Sequence, residues 1–139
     1  MSQLILDDQL DVSEILPELR KWINARRLQD LRPRELIRDD RVPEILLSLK
    51  SATFVTIDHG FWDARLCHPD YCILYFALRD DQQHQIPGIL RALLRRAEFR
   101  SRASRIGKVV RVSTTSITYW EFGNRRRKSI KWRIGRHEG

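Results

Sequence analysis

The sequence predicts an α/β fold built on a mostly parallel central sheet. Short apolar segments rich in β-branched residues alternate four times with segments whose apolar residues recur at helical spacing. The apolar segments are continuous, which is typical of strands that are covered on both faces. The chain has 139 residues and contains neither an internal repeat nor a linker. We therefore expect a single domain over residues 1–139.

The strands are predicted from short apolar runs. The run at residues 52–57 (ATFVTI) gives the clearest signal because of its β-branched content. The last two strands form a C-terminal hairpin around Gly123 and Asn124. The full set of predicted strands is residues 3–6, 27–31, 52–57, 71–77, 108–113, 116–122 and 130–134.

The helices are predicted from apolar residues spaced three and four apart. They span residues 12–23, 42–49 and 85–99. Asp11 is the expected cap of the first helix, and Asp39 or Asp40 of the second. Pro17 is expected in the first turn of the first helix, where a missing N–H costs least.

Charge is distributed unevenly along the chain. Residues 1–88 contain 11 Lys/Arg and 15 Asp/Glu, a net charge of −4, whereas residues 89–139 contain 15 Lys/Arg and 3 Asp/Glu, a net charge of +12; together these give the formal +8. Carboxylates hold cations and basic side chains hold phosphates. The asymmetry favours an enzyme with a metal site in residues 1–80 and a nucleic-acid-contacting part in residues 89–139. A solubilising face, or a surface for an acidic protein, is the alternative.

Several aspartates follow predicted strands. Asp7 ends the first strand and Asp58 ends the strand at 52–57, so neighbouring parallel strands would bring both to one edge of the sheet. Asp39 or Asp40 and Asp63 are candidates to join them. Such a cluster stays ionised only beside a cation, and oxygen ligands select Mg²⁺ or Mn²⁺. The alternative is that these aspartates cap loops.

Thr56 lies two residues before Asp58, on the same side of its strand. Its hydroxyl is a candidate to orient a carboxylate or a metal-bound water.

Three segments carry a resemblance to PIN-like nucleases. The segment LILDDQL at 4–10 resembles their opening strand, FVTIDHGFWD at 54–63 resembles the strand that runs into Thr-x-Asp and an aromatic residue, and DDRVPEILLSL at 39–49 resembles the segment between them. The similarity covers residues 3–80 and extends loosely to the rest. The chain is most similar to the small stand-alone group that includes VapC-type toxins.

The resemblance implies a PIN-like three-layer sandwich and endonucleolytic cleavage of RNA with Mg²⁺ or Mn²⁺. It implies Asp7, Asp40 and Asp58 as metal ligands, with Asp39 as the alternative to Asp40 and Asp8 as the alternative to Asp7. Thr56 and Asp63 would support them. His59 and Gly60 depart from the family's pattern of a further acid or lysine, which leaves a catalytically degenerate, binding-only member as the alternative function.

Basic residues in the second part of the chain are the candidates for RNA contacts. Four consecutive cations at the predicted hairpin tip are expected to lack acidic partners and to make binding salt-dependent. Trp120 and Trp132 are expected to pack on each other across the hairpin, with base stacking as the alternative. The predicted RNA-binding residues are Arg95, Arg96, Arg125, Arg126, Arg127 and Lys128.

Other chemistries are disfavoured. Cys67, His68 and Cys72 are too few and too widely spaced for a typical zinc site, and no glycine-rich phosphate loop is present. A phospho-acceptor domain would need a lysine at a strand end, whereas Lys108 begins its strand.

No apolar run is long enough for a membrane span, and no signal peptide is evident. We expect a cytoplasmic ribonuclease, the toxin of a toxin–antitoxin pair, with RNA as substrate, an antitoxin as partner and a possible homodimer.

Overall fold

The computed structural model describes residues 3–133. Within that range the strands are β1 (Gln3–Leu6), β2 (Asn24–Arg27), β3 (Ala52–Thr56), β4 (Tyr71–Phe76), β5 (Lys108–Val112), β6 (Ser116–Glu121) and β7 (Lys128–Lys131). The α-helices are α1 (Val12–Arg20), α2 (Leu28–Leu31), α3 (Val42–Leu47), α4 (Ile86–Leu93) and α5 (Arg102–Arg105). Short 3₁₀ turns lie at Asp39–Arg41, His59–Phe61, Ala64–Leu66 and Asp80–Gln85.

The described strands form one mixed sheet in the order β2-β1-β3-β4-β5-β6-β7. The first five in this order pair in parallel, and β6 and β7 add an antiparallel hairpin. The predicted α/β class, the mostly parallel sheet and the C-terminal hairpin are thus confirmed. From β1 the chain goes to β2 on one side and later to β3 on the other, so the strand order reverses between β1 and β3. Ligands of such sheets bind at this switch point.

Helices cover both faces of the sheet. On one face, α1 and α4 bury Ile15, Leu19, Ile89 and Leu90 against the strands, together with Phe99 from the loop before α5. On the other face, α3 buries Val42, Ile45 and Leu46 against Ile5, Phe54 and Ile73. Adjacent residues of one strand therefore enter different cores. This explains why the parallel strands carry apolar residues without interruption.

Residues 27–31 are not a strand, which corrects the prediction. The strand is Asn24–Arg27, in parallel register with Gln3–Leu6, and Leu28–Leu31 is a helical turn. The strand lies at the sheet edge and buries only Ala25, so it has no apolar pattern to reveal it. The Asp8 carboxylate accepts a hydrogen bond from Gln29 N–H at 2.9 Å and stabilises the helical turn.

The helices are shorter than predicted. Helix α1 ends at Arg20, because Trp22 and Ile23 both donate to the Leu19 carbonyl as the chain turns toward β2. Helix α4 ends at Leu93, and its predicted first residue, Gln85, belongs to a 3₁₀ turn.

The predicted capping details also differ. Pro17 lies inside α1 and not in its first turn, and Asp11 makes no side-chain cap to the helix. Neither Asp39 nor Asp40 caps α3, which is preceded by Arg41.

The hairpin differs from the prediction in register. Strand β7 starts at Lys128, and Tyr119 pairs with Lys128 while Ser116 pairs with Lys131. Trp120 and Trp132 therefore do not face each other, and Trp132 instead donates Nε1–H to the Ser113 carbonyl at 2.7 Å. The predicted residue 134 lies outside the described part of the chain.

Candidate active site

Asp7 and Asp58 follow neighbouring parallel strands at the switch point. Asp7 comes directly after β1 and donates its backbone N–H to the Val55 carbonyl of β3 at 2.9 Å. Asp58 follows β3 by two residues. The structure therefore brings the two strand ends together, as the sequence predicted.

Thr56 links these two aspartates. Its hydroxyl donates to Asp7 Oδ2 at 2.6 Å and accepts the Asp58 backbone N–H at 2.9 Å. Thr56 is fully buried, and Asp7 is 5% exposed. One hydroxyl thus fixes the Asp7 carboxylate and the backbone from which the Asp58 side chain projects.

The environment of Asp7 disfavours its charge. Burial raises the pKa of Asp7 most strongly, and the nearby Asp39 and Asp8 carboxylates raise it further. Hydrogen bonds from Thr56 and from Gln9 N–H act in the opposite direction. The net effect is a raised pKa, so a neighbouring positive charge would stabilise the ionised form.

Asp39 is the third carboxylate of the group. Its pKa is raised by partial burial, then by the adjacent Asp58 carboxylate and by Asp40. Asp39 also raises the pKa of Asp7, whereas Asp40 is not among the causes of that shift. These electrostatic contacts favour Asp39 over Asp40, the two alternatives that the sequence left open. We refer to Asp7, Asp39 and Asp58 as the carboxylate cluster.

Asp58 also has a structural role. Its Oδ1 accepts the Gly60 N–H at 2.9 Å and so caps the 3₁₀ turn His59–Phe61. A Cβ at position 60 would lie 3.2 Å from this oxygen, which explains why glycine suits the position. The Asp58 carboxyl also interacts with the Asp39 side chain, both through charge and through a hydrogen bond. Loop capping and a ligand role are therefore compatible in this side chain.

Asp63 is bound by Arg65. Its Oδ1 accepts the Arg65 backbone N–H at 2.9 Å, and its Oδ2 accepts Nη2–H at 2.8 Å. The Arg65 guanidinium holds the pKa of Asp63 below its ordinary value. Asp63 thus caps its own turn, and the structure gives no contact between it and Asp7 or Asp58.

A cleft of about 340 Å³ opens beside the cluster. Asp39 and Gly60 line it, so the cleft gives solvent access to the Asp39 member of the cluster. Its lining residues are Asp39, Asp40, Pro43, Gly60, Phe61, Asp63 and Leu66.

The donor chemistry of the cluster suits a hard cation. The side chains offer carboxylate oxygens alone, two of them on groups whose pKa is raised, and a divalent ion would offset their repulsion. Within residues 3–133, no three His, Cys, Asp or Glu side chains already lie close enough to hold a metal ion between them.

The predicted RNA-binding residues lie away from the cluster. Helix α4 leads from the carboxyl end of β4 back toward the start of β5, and Arg95 and Arg96 directly follow it. Arg96 also forms an ion pair with Glu98. The turn with Arg125, Arg126 and Arg127 also lies at the end of the sheet where β5 starts. Lys128 is paired with Glu121 at 3.2 Å, so the expectation that all four cations lack acidic partners is wrong.

Part of the basic second half is structural. Arg105 is 1% exposed and donates to Thr53 Oγ1 at 3.1 Å and to the Phe99 carbonyl at 2.9 Å. Lys108 lies over the Phe99 and Tyr119 rings and donates to the Glu98 carbonyl. These two cations hold α5 and the start of β5 and are not available to a ligand.

Arg111 was not among the predicted RNA-binding residues, although its position makes it a candidate. It lies in β5 opposite Tyr75 of β4, which in turn lies opposite Thr56. The sequence signal that could have revealed it is an arginine among the valines of the strand KVVRV. Arg111 is thus the described cation that strand pairing connects most directly to Thr56.

No family model matches the chain, and neither a curated protein nor a solved structure matches it. In the described part of the chain, no helix has the length and apolar content that a membrane crossing requires.

Proposed function

We propose that this chain is a metal-dependent endoribonuclease of the PIN-like kind. The observation that supports it most is the hydrogen-bonded link Asp7–Thr56–Asp58 at the strand switch point, with Asp39 beside it. Helices on both faces of the sheet are compatible with the three-layer PIN-like sandwich that the resemblance implies.

Each residue of the cluster would have its own role in binding the metal ion. Thr56 holds the buried Asp7 carboxylate in one orientation, and Asp58 places its carboxylate beside that of Asp39. Asp39 is exposed and lines the cleft, so a ligand in the cleft can reach its carboxylate. When bound, Mg²⁺ or Mn²⁺ supplies the charge that holds a scissile phosphate and activates water for its hydrolysis.

A binding module without catalysis is the second candidate. One observation favours it: the Asp58 carboxylate already caps a turn. This candidate predicts nucleic-acid binding that survives chelation and loss of the cluster.

The proposal also covers the partner and the cellular location of the protein. The VapC-like resemblance suggests a toxin that works with an antitoxin, with homodimerisation as a further possibility. Both cysteines are free thiols, Cys67 half-buried and Cys72 buried, which is compatible with the cytoplasmic location that we propose.

Cleavage of a labelled RNA in Mn²⁺ tests the function. We expect wild type to cut it, Asp7→Asn and Asp58→Asn to lose roughly a hundredfold or more in rate, and Asp70→Asn to match wild type. Asp70 is a suitable control because it is an exposed carboxylate at the opposite end of β4. Equal cleavage by all four proteins would mean a contaminating nuclease and would refute the proposal.

A further inference from the structure

Within residues 3–133, no helix covers one face of the sheet region formed by β5, β6 and β7. Along β6, Ile117 and Tyr119 are buried against the α1/α4 core, whereas Ser116, Thr118 and Trp120 on the other side are half-buried. Ser129 and Lys131 of β7 share that side and are exposed. We call this surface the open face; it carries Arg111, Ser116, Thr118, Trp120, Ser129 and Lys131.

The open face is in strand register with Thr56 of the candidate site. Cross-strand register places Thr56, Tyr75, Arg111, Thr118 and Ser129 in one row across five neighbouring strands. Residues two strands apart in such a row are separated by roughly 10 Å, which is the expected spacing from Thr56 to Arg111. Thr56 and Tyr75 are buried, so the accessible part of this row starts at Arg111 and runs to the hairpin edge.

The charge of the open face is positive and uncompensated. Arg111 and Lys131 have no hydrogen-bond or ion-pair partner among the described side chains. The nearby acid, Glu121, is in register with Lys108 on the α1/α4 side, where it pairs with Lys128. Within the described strands β5 to β7, no acidic side chain lies on the open face. This surface therefore complements a polyanion.

The open face also presents aromatic surface. The Trp120 ring lies 6.3 Å from the Trp62 ring, and the exposed Arg127 guanidinium lies 5.9 Å over Trp120. One residue beyond β6, Phe122 is 57% exposed. Arginine over a partly exposed indole marks a site at which a planar base can stack in place of the guanidinium.

We propose that the open face binds a single-stranded nucleic acid, with bases on Trp120 and phosphates on Arg111 and Lys131. Unpaired bases can reach a flat aromatic surface on a sheet, whereas the bases of a duplex are stacked on each other. A second copy of the chain fits less well, because β7 carries lysines that oppose edge-to-edge pairing. Delivery of the strand to the cluster rests on the proposed nuclease function; binding itself does not.

Fluorescence anisotropy of a labelled twelve-nucleotide RNA in EDTA tests the binding without cleavage. The matched pair is Lys131→Gln and Lys128→Gln, since both lysines are exposed on β7 but lie on opposite sides. Loss of one phosphate contact on a single strand lowers the slope of log affinity against log salt by about 0.7. We expect that change for Lys131→Gln and an unchanged slope for Lys128→Gln.

Two further comparisons address stacking and strandedness. Trp120→Leu should weaken binding roughly tenfold or more, and Trp120→Phe should keep most of the affinity because it keeps a ring. An unlabelled single strand should compete for the site, and a duplex of the same sequence should compete poorly. Single-stranded DNA as competitor shows whether the 2′-hydroxyl contributes.

The proposal is overturned if the two lysine variants change the salt slope equally, if Trp120→Leu binds like wild type, or if the duplex competes as well as the single strand. The nuclease proposal is judged separately. Binding in EDTA without any cleavage in Mn²⁺ would keep the open face and reject the enzyme, whereas cleavage without these variant effects would do the opposite.

Discussion

The Thr56 hydroxyl donates to the Asp7 carboxylate at 2.6 Å and accepts the Asp58 backbone N–H at 2.9 Å. A single buried side chain therefore links the two aspartates that follow β1 and β3. Because all three groups are polar and at least two are buried, none of them can lose its partner without a cost. This relationship makes the geometry of the site depend on Thr56.

Thr56→Val should damage both the fold and the site. The change leaves Asp7 Oδ2 without its donor and Asp58 N–H without its acceptor, at a cost of about 1–3 kcal/mol in the free energy of unfolding. Affinity for Mn²⁺ should fall roughly 10–100-fold, as for other residues that orient metal ligands. Urea denaturation in EDTA and calorimetric Mn²⁺ titration measure the two effects. Thr56→Ser keeps the hydroxyl and should restore most of both; if Ser behaves like Val, the hydroxyl is not the cause.

Asp39 and Asp40 should respond differently to the same substitution. Asp39→Asn removes the carboxylate that acts on both Asp7 and Asp58, so we expect at least a tenfold loss of Mn²⁺ affinity and of cleavage rate. Asp40→Asn is its matched control, one residue away in the same 3₁₀ turn and also at the cleft, and should cost less than threefold. The reverse order of effects would restore Asp40 as the ligand.

Asp7→Asn should stabilise the metal-free chain at neutral pH. The pKa of Asp7 is about 3.8 in the unfolded chain and is raised above 3.8 in the folded chain, chiefly by burial. Between the unfolded and the folded pKa, the folded chain binds more protons than the unfolded chain. The stability of wild type therefore falls as pH rises through that window, and Asp7→Asn lacks this decline.

Thermal unfolding in EDTA from pH 3.5 to 7.5 measures this difference. The advantage of Asp7→Asn over wild type should grow with pH and then level off, whereas Asp70→Asn should track wild type. Adding Mn²⁺ should reverse the order by stabilising wild type alone. A variant that is equally destabilised at every pH would show that the Asp7 charge is not disfavoured by its surroundings.

Gly60→Ala should disturb the site with little effect on overall stability. The added Cβ would lie 3.2 Å from Asp58 Oδ1, so the cap of the turn must shift. We expect weaker Mn²⁺ binding and a stability change of no more than about 1 kcal/mol. Gly88→Ala is the comparison, because nothing lies within 4 Å of its added Cβ and the residue is in α4. That variant should gain about 0.5–1 kcal/mol and bind Mn²⁺ normally; equal binding by both variants would contradict the role of the Asp58 cap.

The central parts of the fold could be predicted from the sequence because they are buried on both faces. Strands β3 and β4 consist of continuous apolar residues, and both were predicted to within one residue at either end. Strand β2 could not be predicted, because an edge strand with the sequence NARR buries one residue and owes its conformation to pairing with β1. Helix ends likewise depended on tertiary contacts, such as the turn at Leu19.

The site could be predicted only as far as strand ends determine it. Asp7, Thr56 and Asp58 follow from their positions relative to β1 and β3. The choice between Asp39 and Asp40 depends on the rotation of a three-residue 3₁₀ turn, which leaves no periodic pattern. Asp63 was included because it is near in sequence; it lines the same cleft as Asp39, but its oxygens are already engaged by Arg65. Arg111 was missed because only the register of five strands reveals that it shares a row with Thr56.

Calorimetric titration of Mn²⁺ into the chelator-treated chain tests the carboxylate cluster most directly. We predict one binding site in wild type and in Asp70→Asn, and a loss of roughly 10–100-fold or more in affinity in Asp58→Asn, because Asp58 is linked to Asp7 through Thr56 and lies beside Asp39. Wild type that binds no Mn²⁺ even with an uncleavable RNA present, or Asp58→Asn that binds as tightly as wild type, would contradict a metal centre at this position.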